Sequence, residues 1–281
     1  MIQIKELIKN YEPFHLNISM EIPAGRVTGL VGRNGSGKST TIKTILGLIR
    51  PDAGEVLVFG KHVSDLTNED REQIGAAFAD SGFSSFLKLQ DVVSILRSSY
   101  RNFNEKWFLS ACEKGRLPMD KKLKEFSTGM KARLRFLTAC SHGAKLLILD
   151  EPTAGLDVIA RNEVLDLLRD YLAEDSERTV LISSHISTDL EGICDDIYML
   201  YDGKIILHED TDKILGEYAV LKLSEHAYEK IDKQYILQTK RENFGYACLT
   251  DQKQYYAENY PDIVLESGSI DELIIMMAKE A

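Results

Sequence analysis

The sequence predicts an α/β fold: a parallel sheet covered on both faces, an antiparallel β fringe, a helical insertion, and a small α+β region after them. Three observations predict it. Residues 146–149 (LLIL) and 180–182 (VLI) are short uninterrupted apolar runs on either side of a helical stretch around 158–173, the pattern of parallel strands buried on both faces. Phe14, Leu16, Ile18, Met20 and Ile22 alternate with the two-residue period of a half-buried strand. A short apolar segment, 26–31, enters a glycine-rich turn, after which Ile42, Ile45, Leu46 and Ile49 share one face of a helix.

Taken in order, residues 1–60 read mostly as strands, interrupted by that helix, which Pro51-Asp52 stops. Residues 74–78 read as a strand and 84–142 as predominantly helical. Segments 197–201 and 204–207 flank Asp202-Gly203, a hairpin signal. Near Gly216 the pattern shortens to strand 220–223, helix 225–231, strands 234–239 and 244–249, helix 251–258 and strand 263–266. Ser269 and Glu272 form a capping box for a last helix, on which Ile270, Leu273, Ile274 and Met277 share a face. The order β-α-β-β-α-β is that of a ferredoxin-like unit. The predicted division is 1–215, with a helical subdomain at about 84–142, and 216–281, a small accessory domain.

Composition excludes several classes. Hydrophobic residues at 44% and charged residues at 28% are those of a globular protein, not a disordered or disulfide-scaffolded one. No run of about 18 apolar residues occurs, so no spanning helix is expected, and the first residues lack the apolar core of a secretory signal. With 34 basic against 44 acidic residues, the net charge of -10 argues against nucleic acid as a partner. Cys112, Cys140, Cys194 and Cys248 are far apart and read as buried, reduced thiols of a cytosolic protein.

Residues 32–40, Gly32-Arg33-Asn34-Gly35-Ser36-Gly37-Lys38-Ser39-Thr40, fit the phosphate-loop pattern G-x-x-x-x-G-K-[ST] between a predicted strand and a predicted helix. Glycines let the backbone wrap closely and turn its N–H groups toward phosphate oxygens, and the helix N-terminus adds positive potential. Lys38 is placed to reach the β- and γ-phosphates and the Ser39 hydroxyl to ligate Mg²⁺. The apolar run at 146–149 ends in Asp150-Glu151-Pro152. Carboxylates at the C-terminal end of a buried strand emerge where ligands of open α/β sheets bind. Asp150 is then the Mg²⁺ partner through water, and Glu151 the general base that polarises an attacking water. A plain turn at the strand end is the simpler alternative, weakened by the phosphate loop beside it.

With these motifs the sequence resembles the ATP-binding subunit of an ABC transporter, over roughly residues 1–215. Phe126-Ser127-Thr128-Gly129-Met130 resembles the family signature LSGGQ, with Phe126, Thr128 and Met130 departing from it. Ser127 and Gly129, which in the family meet the γ-phosphate of a partner subunit, are kept; Ser127 is also a helix N-cap candidate. Ala154-Gly155-Leu156-Asp157 resembles the D-loop, which crosses the dimer interface; Asp157 reads equally as an N-cap. His185 resembles the switch histidine at the γ-phosphate, and Tyr11 the aromatic that stacks on adenine. Where the family has a glutamine after the strand at 74–78, this chain has Ala79 followed by Asp80. Either Asp80 supplies the metal's oxygen ligand or it is solvated and the link is altered.

The resemblance implies an ABC ATPase core of the phosphate-loop NTPase fold, with ATP and Mg²⁺ as cofactors. It implies hydrolysis in a head-to-tail dimer with a second ATPase subunit, identical or different, and transmembrane permease subunits as partners. The protein would then lie in the cytoplasm against the inner face of the membrane, held there by its permease. One compact cassette with an accessory C-terminal segment is similar to exporter subunits; an importer subunit and a soluble ABC ATPase uncoupled from transport are the alternatives. Phe83, Phe86, Leu87, Phe103, Trp107 and Phe108 are candidates for the groove that receives the permease, or for ordinary subdomain core.

Overall fold

The computed structural model describes residues 1–79 and 82–277. The hairpin β1 (Ile2–Tyr11) and β2 (Phe14–Ile22) precedes β3 (Val27–Val31), which leads into α1 (Lys38–Ile45). Then come β4 (Ala53–Val58), β5 (Lys61–His62), the one-turn α2 (Asn68–Arg71) and β6 (Ile74–Phe78). The helical subdomain holds α3 (Leu89–Ser99), α4 (Glu105–Lys114) and α5 (Thr128–Cys140). The chain returns to the sheet through β7 (Leu146–Asp150), α6 (Val158–Ala173), β8 (Thr179–Ser184), α7 (Thr188–Glu191) and the hairpin β9 (Asp196–Tyr201) and β10 (Lys204–Asp210). After α8 (Thr211–Glu217) come β11 (Ala219–Leu223), α9 (Glu225–Lys230), β12 (Ile236–Glu242), β13 (Gly245–Thr250), α10 (Lys253–Asn259), β14 (Val264–Ser267) and α11 (Ile270–Met277).

The central sheet runs β10-β9-β3-β8-β7-β6, parallel apart from the β9–β10 pair. Its strands explain why the apolar runs are unbroken. Leu146 and Ile148 face a core shared with the antiparallel sheet β2-β1-β4-β5, whereas Leu147 and Leu149 face the helical subdomain. Alternate residues thus enter opposite hydrophobic layers, each fully buried aliphatic side chain contributing about 1.5–3 kcal/mol. In the fringe, Leu16, Ile18, Met20 and Ile22 are buried and their neighbours exposed, as the alternation predicts.

One predicted boundary is corrected. Helix α1 stops at Ile45, short of Ile49, and the stop is Gly47 rather than Pro51. At φ +71° Gly47 takes the left-handed conformation; its N–H donates to the Thr44 carbonyl at 3.0 Å and the next N–H, of Leu48, to that of Lys43 at 2.8 Å. This paired closure satisfies the last carbonyls and ends the helix.

The C-terminal sheet is antiparallel, in the order β12-β13-β11-β14. Gly216 lies within α8, and the new sheet begins at Ala219. Leu221, Leu223 and Cys248 face a tyrosine-rich cluster that includes Tyr255 and Tyr256 on α10. Val220 and Leu249 face the other way, joining Ile270 and Leu273 of α11 and also Leu190 of α7 and Ile214 of α8 in the core that serves the helical subdomain. The Ser269 hydroxyl accepts the Glu272 N–H at 3.2 Å, capping α11. The four cysteines are free and buried.

Candidate active site

Strand β3 is buried at every residue and delivers the chain to the glycine-rich turn. At Gly32 a Cβ would lie 2.2 Å from the Leu200 carbonyl oxygen, so only glycine passes between the loop and β9. Gly37, at φ +113°, is the N-cap of α1 and offers no capping side chain. The first-turn N–H groups of α1 are thus left for an anion. Among the described residues the buried Ser36 hydroxyl has no hydrogen-bond partner, as a group reserved for a polar ligand would be. Lys38 is 5% exposed; its ammonium donates to the carbonyls of Gly32 (2.6 Å) and Arg33 (3.3 Å). These features fit a polyphosphate.

Asp150 closes β7 and pairs in register with Ser183 on β8. The Ser183 hydroxyl donates to Asp150 Oδ1 at 2.6 Å and accepts the Glu151 N–H at 3.0 Å. Glu151 has φ +52°, a left-handed conformation that non-glycine residues rarely adopt. Its Oε1 lies 3.1 Å from Lys38 Nζ, at ion-pair distance but without the alignment of a hydrogen bond. Its Oε2 is 2.5 Å from His185 Nδ1 and accepts the His185 N–H at 3.3 Å. One carboxylate therefore bridges the phosphate-loop lysine and the histidine after β8. Behind it, the Thr153 hydroxyl donates to Asp189 of α7 at 2.6 Å, both residues being buried.

A cleft of about 670 Å³ opens over the loop, lined by Arg33, Asn34, Gly35, Ser36, His185, Tyr201 and Asp202. Tyr201 and Asp202 are not among the sequence candidates. Their signal is the Asp202-Gly203 turn, whose Gly203 N–H donates to the Ser36 carbonyl at 3.1 Å and so braces the loop. Ser39 and Thr40 are half-buried in the first turn of α1. Tyr11 ends β1, is 44% exposed, and does not line the cleft. Among the described residues no group of three or more His, Cys, Asp or Glu is arranged to hold a metal. A magnesium ion usually takes one or two protein oxygens plus substrate phosphates, so Ser39 and Asp150 are a chemically sufficient protein share. Asp80 lies outside the described residues; the carbonyl of Ala79 before it accepts from the Arg135 guanidinium of α5.

Ser127, Gly129 and Asp157 stand apart from the cleft lining. Ser127 caps α5, accepting the Met130 N–H at 3.2 Å, and Asp157 caps α6, accepting the Ala160 N–H at 2.8 Å. A Cβ on Gly129 would sit 2.8 Å from the Ala160 Cβ, so glycine lets α5 and α6 approach. Beside Asp157, Val158 and Ile159 are 67% and 74% exposed.

Comparison with known proteins gives a consistent picture. The family described as "ABC transporter" matches residues 16–154. The chain is 33% identical over 245 residues to the lantibiotic transport ATP-binding protein SrtF of Streptococcus pyogenes, covering 86% of this chain and 100% of that one. It is 35% identical over 195 residues to the bacitracin transport ATP-binding protein BcrA of Bacillus licheniformis, covering 68% and 62%. A solved dimeric bacterial ABC transporter cassette superposes with a TM-score of 0.66 at 25% identity, covering 75% of this chain and 99% of that one.

Proposed function

Because the chain belongs to the ABC transporter ATP-binding family, we propose that it binds ATP with Mg²⁺, hydrolyses it, and drives the export of a cargo through separate membrane subunits. The observation that carries the chemistry is Glu151, held between Lys38 and His185 at the mouth of the phosphate loop. The α1 N-terminus, the loop amides and Lys38 bind the phosphates through charge-assisted hydrogen bonds. Ser39, and Asp150 through water, would hold Mg²⁺, which when bound would supply neutralisation of the phosphate charge. When ATP takes over the Lys38 ammonium, Glu151 is released to accept a proton from an attacking water, with His185 orienting beside it.

Ser127, Gly129 and Asp157 act in this scheme from a second ATPase subunit, across the nucleotide. ATP then favours the closed dimer, and moving it from mostly open to mostly closed takes about 5.5 kcal/mol of differential binding. Among the described residues no helix is long and apolar enough to cross a membrane; in this reading the push acts on separate permease subunits, which hold the chain against the inner face of the membrane. SrtF is named for lantibiotic transport and BcrA for bacitracin transport, which supports a transport role for this chain; the outward direction is part of the proposal. Residues 1–215 form the nucleotide-handling domain in this reading and 216–281 an accessory one. The test is Glu151→Gln. ATP binding is expected to persist and hydrolysis to fall at least about a hundredfold, the scale of losing a general base. An ATP-dependent dimer should appear in gel filtration. Wild-type turnover in this variant would refute the assignment.

A further inference from the structure

We propose that Ser183 is a positioning residue for this reaction, one hydroxyl that sets both members of the acidic pair; the proposal rests on the reading of Asp150 and Glu151 given above. Ser183 is fully buried on β8, directly across the ladder from Asp150. It has one proton to donate and lone pairs to accept with. The Glu151 group that meets it is the backbone N–H, which can only donate, so the hydroxyl proton goes to Asp150. The bonding pattern is therefore unambiguous. The donated bond, 2.6 Å to Oδ1, fixes the rotation of the Asp150 carboxylate. The accepted bond, 3.0 Å from the Glu151 N–H, pins that residue's backbone in its left-handed conformation. That conformation turns the Glu151 side chain to Lys38 and His185, and such strain persists only where the surroundings over-determine it.

Removing the hydroxyl leaves a buried N–H without an acceptor and a carboxylate free to rotate. Ser183→Ala should lower kcat by about 10- to 100-fold, as expected for two lost bonds, one of them to a charged group. Because the hydrogen bonds of the Ser183 hydroxyl among the described residues go to Asp150 and Glu151 and not to the phosphate loop, ATP affinity without Mg²⁺ should stay within about twofold. The gain in ATP affinity on adding Mg²⁺, measured calorimetrically in the non-hydrolysing Glu151→Gln background, should shrink. Ser183→Thr keeps donor and acceptor and should recover most of both readouts. If Ser183→Ala does not fold, Ser183→Cys keeps the volume but bonds weakly, and should show the same losses. A folded Ser183→Ala or Ser183→Cys chain with wild-type kcat and the wild-type Mg²⁺ effect would overturn the proposal while leaving the hydrolysis reading intact. A wild-type chain that neither binds nor hydrolyses ATP would overturn both.

Discussion

The phosphate loop with its carboxylates and the pair of helix starts at Ser127 and Asp157 are both built on helix N-termini, yet they are finished differently. At α1 the cap is a glycine without a side chain, the nearby Ser36 hydroxyl has no partner among the described residues, and Lys38 falls back on backbone carbonyls and Glu151. At α5 and α6 the caps are satisfied within the chain, by Ser127 and Asp157. The first terminus has no side-chain cap of its own and suits an anion, whereas the second pair is capped within the chain and stands beside exposed Val158 and Ile159. A lone chain should therefore bind nucleotide, and a second surface should be needed to use the caps.

Four substitutions break or sharpen that contrast. The largest effect is expected from Lys38→Ala, which removes the cation of the cradle: ATP affinity should fall by about a hundredfold or more in a binding assay, the cost of a charge-assisted contact to phosphate. Next is Gly129→Val, which forces a side chain against Ala160 and should cost about 1–3 kcal/mol in a denaturant titration, with nucleotide binding per folded molecule intact. Ser127→Ala should cost about 1 kcal/mol of stability through the lost cap and also abolish ATP-driven dimerisation; a stability loss alone would make Ser127 a cap and nothing more. The smallest effect on the isolated chain is expected from Ile159→Asp. An exposed position should change stability by no more than about 0.5 kcal/mol, while dimerisation with ATP, read by gel filtration, should be lost.

Local patterns carry most of the legible structure. Helix α6 follows the period of its apolar residues, the β9–β10 hairpin follows its Asp-Gly turn, and β7 and β8 follow their unbroken aliphatic runs. What the sequence hides is what depends on register. Ser183 is a serine among many until β7 and β8 pair and set it opposite Asp150, 33 residues away. The end of α1 is deceptive because Ile49 keeps the helical spacing although Gly47 has already closed the helix. Tyr201 and Asp202 reach the cleft only because β9 lies beside β3 in the sheet.

The interior that Val220, Leu249, Ile270 and Leu273 share with Leu190 and Ile214 has a practical corollary for anyone cutting the chain. Truncation at residue 216 would not release a bead from a string. It would open the apolar cluster to which Leu190 belongs, one residue before Glu191, whose carboxylate accepts the Ile270 N–H at 3.4 Å and would lose that partner. Shortened versions should precipitate sooner than they should turn over faster, and any domain exchange at this joint must carry α8 and α11 along with the graft.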